Sequence, residues 1–343
     1  MDKLIAQALT GAHTPGAAVA LIVDGRPWLE QGAGYRDLAQ TEPLPVDARF
    51  YLYSITKTLI AIAVLQLVEQ GPLTLDDPLR EHLPAVPLEE RVSVRQLLQH
   101  TGGLPDYGGL QNYTEAVRQH PGTPWTEKEF LAHTLSGGLH FPPGTGWSYS
   151  NIGYLLLKQL IRRLTGRSLQ WALHEHLFAP LGLSHTFVAG SPADSDELTP
   201  GYSAFFNDEE RLEEISGRYH PGWVSHGVVI STAPETARLF HALFAGHLLP
   251  PHLLAQMVVP VPVPVTHPLF VRPSYGLGLM LDPDSPYGLI AGHGGGGPGY
   301  DTAALHFADV GGREVVAVVL ANAGRPLAMD LAFRLVEQLQ TGL

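Results

Sequence analysis

Apolar positions form strand-like runs near both ends of the chain and follow helical spacing between them. Residues 2–10 predict a short amphipathic helix. Ala17–Val23 and Trp28–Tyr35 predict two strands joined at Asp24-Gly25, which is a strong hairpin signal. Further strand-like runs and a closing helix occupy the last part of the chain. These predicted elements are the strands Gly276–Leu281, Tyr287–Gly292, Thr302–Phe307 and Glu314–Asn322 and the helix Pro326–Gln340.

The middle of the chain carries apolar residues at helical spacing, interrupted by turns rich in proline and glycine. Two segments lack this pattern. The polar stretch 189–222 has little periodicity, and such long loops often cover sites. The Val-Pro-rich stretch 258–273 predicts a stiff, extended crossover. The predicted helices are 54–70, 93–100, 127–135, 151–165, 168–177 and 233–247.

Strands at both ends with helices between them predict an α/β fold of the α+β kind. We expect one antiparallel sheet built from residues 1–53 and 266–343 and flanked by the two terminal helices. Residues 54–265 would form a largely helical domain inserted into this sheet domain, with the active site between the two. The sequence shows no internal repeat.

Composition excludes several classes of function. The formal net charge of −12 and the lack of a basic stripe argue against a nucleic-acid partner. The chain has no cysteine, so it has neither a thiolate metal site nor a cysteine nucleophile. No apolar run reaches the roughly 18–20 residues of a membrane helix. Asp2 beside Lys3 and the lack of a long apolar core do not suggest a secretory signal, so we expect a cytoplasmic protein unless a leader has been removed.

The candidate chemistry begins with Ser54 and Lys57. Lys57 is the one charged residue between Arg49 and Glu69 in an apolar, helix-length segment. Residues i and i+3 are neighbours on a helix, and burial lowers the pKa of a lysine, so Lys57 could take a proton from Ser54. The alternative is a lysine at the edge of a core helix whose amine reaches water.

A second candidate is Tyr149-Ser150-Asn151, which follows a Pro-Gly turn and immediately precedes a predicted helix. A tyrosine phenol can shuttle a proton when a nearby ammonium lowers its pKa. An asparagine amide can bind a lysine through its oxygen and a substrate carbonyl through its nitrogen. The alternative is an ordinary helix cap, a position that asparagine favours.

A third candidate is the glycine-rich run 292–300, which contains His293-Gly294-Gly295-Gly296 at the end of a predicted strand. Glycines let a backbone approach a ligand closely, and an N–H at a strand edge can stabilise an oxyanion. The pattern His-x-Gly alone carries little information, because it occurs four times in the chain. Its place between two predicted strands is what makes it a candidate.

Taken in order, Ser54-x-x-Lys57, Tyr149-x-Asn151 and His293-x-Gly295 resemble the motifs of the serine β-lactamase and penicillin-binding superfamily. The resemblance is strongest to the class C β-lactamase-like branch, which includes esterases, D-aminopeptidases and DD-carboxypeptidase-like enzymes. It runs from about Pro15 to Asn322 and includes several connecting segments. These segments are Leu97–Asp106, Phe141–Lys158, Phe178–Phe187 and Gly227–Phe240.

This resemblance implies a role for each motif residue. Ser54 would be the acylated nucleophile and Lys57 its activating partner. Tyr149 would act as general base in acylation and as acid toward the leaving group, and Asn151 would orient Lys57 and the substrate. Which of Lys57 and Tyr149 accepts the first proton stays open at this stage.

The resemblance also assigns roles to the third motif. His293 would support the proton network around the tyrosine, and Gly295 would border the substrate. The backbone N–H groups of Ser54 and Gly296 would form the oxyanion hole. One departure matters: Gly294 stands where the family often has a threonine or serine that helps to hold a substrate carboxylate. This weakens the case for β-lactams and for peptides with a free D-alanine carboxylate.

The resulting hypothesis is a serine hydrolase that works through an acyl-enzyme on Ser54. A carboxylesterase or a D-stereospecific peptidase or amidase with a small-molecule substrate is favoured. A class C-like β-lactamase or a DD-carboxypeptidase is the alternative, and a non-catalytic binding or sensor module on the same fold is the alternative from another class. No cofactor, metal, nucleic-acid or membrane partner is expected, and the oligomeric state is left open.

Other motifs do not support competing functions. Gly294-x-Gly296-x-x-Gly299 matches a dinucleotide fingerprint, but Pro298 and a strand-like run follow where a helix should begin. The chain has no Gly-x-Ser-x-Gly elbow for an α/β-hydrolase triad. His174 and His176 lack the i,i+4 spacing of a zinc-binding helix.

Overall fold

Strands from both ends of the chain build one antiparallel sheet, as the sequence predicts. The computed structural model describes residues 1–88, 90–207, 209 and 211–342. Its large sheet has the strand order β2-β1-β13-β12-β11-β10-β9-β8. In chain order the strands are β1 (Gly16–Val23), β2 (Arg26–Gly34), β3 (Phe50–Tyr51), β4 (Phe187–Val188), β5 (Tyr202–Ser203), β6 (Glu213–Glu214), β7 (Val229–Ser231), β8 (Val261–Pro262), β9 (Ser274–Tyr275), β10 (Met280–Asp282), β11 (Ile290–Gly297), β12 (Tyr300–Phe307) and β13 (Val315–Ala321).

Helices at the two ends flank the sheet, and the remaining helices lie between β3 and β8 in the sequence. The mixed α/β architecture expected from the sequence is therefore confirmed. In chain order the helices are α1 (Asp2–Ala12), α2 (Thr56–Gln70), α3 (Leu79–His82), α4 (Val94–Leu98), α5 (Gln111–Gln119), α6 (Glu127–Leu135), α7 (Asn151–Thr165), α8 (Leu169–Leu173), α9 (Ala233–Phe244), α10 (Pro251–Met257) and α11 (Ala328–Gly342).

Some elements differ from the sequence-based expectation. Helices α3, α5 and α10 are not predicted, since they are short and α5 buries only Val117. The strand expected at 276–281 begins only at Met280, because Gly278 turns the chain with a φ of +77°. The strand expected at 287–292 runs instead through the glycines to Gly297, which pairs with Tyr300.

Strands β1 and β13 carry no polar side chain because both faces of the sheet are covered. In β1, Ala17, Val19 and Leu21 pack with the terminal helices α1 and α11 on one face. Ala18 and Ala20 face the main core, where α9 lies against β1, β12 and β13. Strand β13 alternates in the same way. The inserted region thus supplies the cover for the second face.

Helix α2 runs through the middle of the main core. Between residues 50 and 65, Ser54 is the only position that is not buried. A loop ending in Gly278 packs on this helix: Thr58 Oγ1 donates to the carbonyl oxygen of Gly278 at 2.7 Å. A Cβ at Gly278 would lie 2.5 Å from the Cβ of Ala61. The helix that carries Lys57 is therefore tightly packed where it faces this loop.

We expect Gly278→Ala to destabilise the protein by more than Gly71→Ala does. Both glycines have a left-handed φ, but a Cβ at Gly71 would have no atom of the described residues within 4 Å. Gly71→Ala should therefore cost about 1 kcal/mol for the backbone alone. Gly278→Ala should cost about 1–3 kcal/mol more because it overpacks the core. Urea unfolding of both variants measures the difference, and equal losses would contradict this tight packing.

Candidate active site

Ser54 lies at the start of the buried helix, where a short 3-10 turn, Tyr53–Ile55, leads into α2. Tyr53, directly before it, has a φ of +44°, a strained conformation for a non-glycine residue that is common at functional sites. The turn places Ser54 Oγ 3.1 Å from Lys57 Nζ. The pairing expected from the i,i+3 spacing is therefore present.

The Lys57 amine is fully buried and has three close polar neighbours. Besides Ser54 Oγ, these are Asn151 Oδ1 at 2.7 Å and His226 Nε2 at 3.3 Å. Burial lowers the pKa of the Lys57 ammonium to about 7, and the charge of Asp106 opposes this shift. Lys57 is not a surface-reaching lysine, and its neutral form is accessible near neutral pH.

Asn151 begins helix α7, and the preceding Ser150 caps the helix by accepting from the N–H of Gly153. The Asn151 amide nitrogen donates to Asp106 Oδ2 at 3.1 Å, and its backbone N–H donates to Asp106 Oδ1 at 2.9 Å. Burial raises the pKa of Asp106, while these hydrogen bonds from Asn151 oppose the rise. Asp106 therefore holds Asn151 with its oxygen toward Lys57.

Tyr149 reaches the serine directly. Its hydroxyl donates to Ser54 Oγ at 2.9 Å, and Lys57 Nζ lies 4.9 Å from the centre of its ring. The sequence-based expectation was a pKa lowered by the ammonium. Instead, burial raises the pKa of Tyr149 above its usual value, and the hydrogen bond to Ser54 opposes this only in part. The expectation was wrong, because the cost of desolvating a buried phenolate dominates.

His293 lies deeper, behind Tyr149, and its ring centre is 6.4 Å from that of the tyrosine. Its Nδ1 is in hydrogen-bond contact with the carbonyl oxygen of Gly294, so Nδ1 carries the proton and Nε2 accepts from the Tyr275 hydroxyl at 2.9 Å. Burial lowers the pKa of His293 to about 3. A neutral His293 therefore supports the packing around Tyr149 and contacts Tyr275, a partner that the sequence did not suggest.

Strand β11 passes so close to the nucleophile turn that only glycine fits. A Cβ at Gly295 would lie 2.2 Å from the carbonyl oxygen of Leu52, and one at Gly297 would lie 2.5 Å from the Tyr53 ring. Gly296 and Ser54 line the same cavity. These contacts bring the backbone of the third motif beside Ser54, which is the arrangement that an oxyanion hole requires.

Gly294 is not among the described residues that line this cavity. A Cβ at Gly294 would lie 3.1 Å from the methyl carbon of Met329 in α11. A threonine or serine at this position would therefore be in tight contact with the flexible end of an apolar side chain.

The cavity in front of Ser54 has a volume of about 210 Å³. Five tyrosine and tryptophan residues and Val224 form much of its wall. Tyr219 comes from the polar stretch 189–222, as expected for a loop that covers a site, although residues 208 and 210 of that stretch lie outside the described residues. None of the described residues that line this cavity is an arginine or a lysine. The aromatic wall consists of Tyr53, Tyr107, Tyr113, Tyr219 and Trp223.

The sequence alone did not identify Asp106, His226 or Tyr275 as parts of the site. Asp106 is the last residue of Leu97–Asp106, one of the segments that support the family resemblance. That position could have identified it as part of the site. His226 is 169 positions from Lys57, and Tyr275 is 18 positions from His293, with no recognisable spacing in either case. Only the tertiary structure brings these pairs together.

Within residues 1–88, 90–207, 209 and 211–342, no three His, Asp or Glu side chains are arranged to hold a metal ion. No helix there has the length and apolar character needed to span a bilayer.

Comparisons with known proteins agree with the motifs. The chain is 30% identical over 292 residues to penicillin-binding protein 4* of Bacillus subtilis, which covers 80% of this chain and 62% of that protein. It is 33% identical over 188 residues to a D-aminopeptidase of Brucella anthropi, covering 55% of this chain and 35% of that protein. The chain thus spans less than two thirds of the length of either relative.

The fold has a close structural counterpart over almost its whole length. A crystal structure of a D-stereospecific amidohydrolase from a Streptomyces species superimposes with a TM-score of 0.80 and 29% identity, covering 96% of this chain and 95% of that one. The family model described as Beta-lactamase matches residues 1–340. The match over nearly the entire chain, together with the Ser54, Lys57 and Tyr149 cluster, establishes that the protein belongs to the beta-lactamase family.

Proposed function

We propose that the protein is a serine hydrolase that forms an acyl-enzyme on Ser54 and cleaves small, uncharged esters or D-configured amides. The observation that carries this proposal is the buried Lys57 amine, 3.1 Å from Ser54 Oγ, at the mouth of an aromatic cavity. The proposed site lies between the sheet domain (1–53 and 266–343) and the inserted helical domain (54–265). A cytoplasmic location stays a prediction.

Acylation begins with Lys57 as the proton acceptor. Its pKa of about 7 provides neutral amine at neutral pH, whereas the raised pKa of Tyr149 keeps that phenol protonated. Lys57 takes the Ser54 proton as Oγ bonds to the substrate carbonyl carbon. The charge that develops on the carbonyl oxygen is stabilised by the backbone N–H groups of Ser54 and Gly296.

Collapse of the tetrahedral intermediate breaks the bond to the leaving group. Tyr149 donates its proton to the departing oxygen or nitrogen and regains one from the Lys57 ammonium. A water molecule then attacks the Ser54 ester, giving its proton to Lys57. The Ser54 oxygen leaves and takes that proton back, so the enzyme returns to its starting state.

The substrate class follows from the cavity and the relatives. An uncharged aromatic wall favours an apolar acyl group, and its described residues offer no cation to a substrate carboxylate. Gly294 supplies no hydroxyl and faces Met329 instead. Two of the related proteins are named for D-specific amide or peptide cleavage. Together these observations favour esters and D-amides over β-lactams and over peptides with a free D-alanine carboxylate.

Ser54→Ala should lower the hydrolysis of p-nitrophenyl butyrate by at least about 1,000-fold, because the nucleophile is removed. Steady-state rates at equal folded concentration measure this loss. Ser184→Ala, at an exposed serine outside the site, is the matched control and should keep full activity. Equal turnover by wild type and Ser54→Ala would overturn the assignment of Ser54, and absence of wild-type turnover would overturn the esterase activity.

The pH profile of kcat/KM should fall on the acidic side with a midpoint near 7. Only the neutral Lys57 amine accepts the Ser54 proton, and the fraction of neutral amine decreases as the pH drops through its pKa of about 7. Rates from pH 5 to 9, with circular dichroism to verify folding at each pH, test this expectation. A profile that stays flat down to pH 5 would be incompatible with Lys57 as the proton acceptor.

A C-terminal carboxylate on the substrate should lower kcat/KM. N-acetyl-D-alanyl-D-alanine and its C-terminal amide differ in whether the chain ends in a carboxylate or an uncharged carboxamide. For cleavage of the D-alanyl-D-alanine bond we expect the amide to have a kcat/KM at least about 10-fold higher, because the described residues of the cavity offer no cation to the carboxylate. Product release measured by chromatography gives both values. A preference for the free acid would instead support the DD-carboxypeptidase alternative.

A further inference from the structure

His226 is a third partner of Lys57 that no motif assigns. It is buried, with 1% of its surface exposed, and it borders the cavity in front of Ser54. Its Nε2 lies 3.3 Å from Lys57 Nζ, and its Nδ1 is buried without a partner among the described residues. A buried ring nitrogen without a hydrogen-bond partner destabilises the folded protein. The presence of a histidine beside Lys57 therefore requires a physical reason.

The geometry of a neutral amine supplies that reason. It has two N–H groups and one lone pair, directed toward the corners of a tetrahedron. The three neighbours of Lys57 Nζ are Asn151 Oδ1, which can only accept, His226 Nε2 and Ser54 Oγ. If Asn151 and His226 accept the two N–H groups, the lone pair is left facing Ser54.

We infer that His226 is a positioning residue, which accepts an N–H of Lys57 and thereby directs the amine lone pair at Ser54 Oγ. This inference rests on the proposed function, in which Lys57 accepts the Ser54 proton. It identifies a role for a residue outside the three sequence motifs. Asn151 alone would leave the amine free to rotate about its single hydrogen bond.

The tautomer that this role requires is consistent with the catalytic cycle. After acylation begins, Lys57 is an ammonium that has only donors, so His226 Nε2 must accept and Nδ1 must carry the proton. The same tautomer positions the neutral amine for the next cycle. The opposite tautomer would donate Nε2–H to the lone pair of Lys57 and block the transfer from Ser54.

His226 stays neutral in this environment. Burial is the main cause that holds its pKa well below the usual value, and the charges of Lys57 and Lys158 act in the same direction. His293 and His100 also face it, and both have lowered pKa values. The Tyr154 ring packs against it as well, and burial keeps the pKa of that phenol well above its usual value. Nε2 is therefore available as an acceptor across the pH range of the reaction.

The backbone on both sides of His226 is fixed, so its ring has a defined place. The carbonyl oxygen of Ser225 accepts from Lys158 Nζ at 2.6 Å, and the N–H of Ser225 donates to the Tyr107 hydroxyl at 3.1 Å. Beyond His226, the N–H of Val229 donates to Thr56 Oγ1 of α2 at 3.0 Å. The segment is thus tied to the same helix that carries Lys57.

The test replaces His226 with phenylalanine, which keeps a ring but removes the acceptor, and with glutamine, whose Oε1 can still accept. We expect His226→Phe to lower kcat for p-nitrophenyl butyrate by about 10- to 100-fold, with KM changed less than about 3-fold, because the amine is misoriented. His226→Gln should recover most of the loss. His306→Phe, at a buried histidine outside the cavity lining, is the matched control.

The acidic limb of the pH profile separates positioning from a structural role. Removing an acceptor destabilises the ammonium, so the midpoint in His226→Phe should move below the wild-type value of about 7. A merely structural defect that admits water would instead raise the midpoint toward that of an ordinary lysine. An upward shift, or wild-type kcat and midpoint in a folded His226→Phe protein, would overturn the inference.

The Ser54→Ala variant tests the proposed function separately from the role of His226. If Ser54→Ala shows that turnover does not depend on Ser54, the proposed mechanism fails and the role of His226 fails with it. If turnover depends on Ser54 but His226→Phe behaves like wild type, only the role of His226 is overturned. Should His226→Phe fail to fold, His226→Gln decides: the inference requires near-wild-type kcat and midpoint, and a large loss in the folded glutamine variant contradicts it.

Discussion

A buried amine that no described carboxylate contacts directly is the constraint on which the rest of this protein depends. Lys57 is linked to Asp106 through the side chain of Asn151, and burial dominates its pKa and makes the neutral form available. Such a buried group is tolerable only where hydrogen-bond partners surround it, and its pKa stays low only while water is excluded. The enclosed helix α2 and the acceptors around its first turn meet both requirements.

These acceptors come from distant parts of the chain, and the fold holds each of them independently. Asn151 is fixed by the start of its own helix and by Asp106. His226 is fixed by a segment tied to α2, and strand β11 lies against the nucleophile turn because its glycines have no side chains to separate them. The site is rigid because three structural units converge on one helical turn, and each has its own anchors.

Local geometry explains which parts the sequence could predict. Ser54 and Lys57 share one helical turn, so their contact follows from spacing alone, and apolar runs such as Val315–Ala321 identify strands covered on both faces. Contacts made by His226 and Tyr275 depend on long-range packing that no spacing encodes. The sequence did not predict that β11 continues to Gly297, because glycine has a low propensity for strands. In the structure, pairing with β12 outweighs this low propensity.

Two residues of the aromatic wall, Tyr113 and Trp223, are held separately from the proton-transfer groups. The Tyr113 hydroxyl donates to the carbonyl oxygen of Trp223, and the indole N–H of Trp223 donates to the carbonyl oxygen of Pro121. These bonds do not involve Ser54, Lys57 or His226. Mutations of Tyr113 and Trp223 can therefore change which acyl group fits without disturbing Ser54 and Lys57. Divergence of substrate range within a lineage then needs few coordinated mutations, since recognition and chemistry occupy separable parts of the fold.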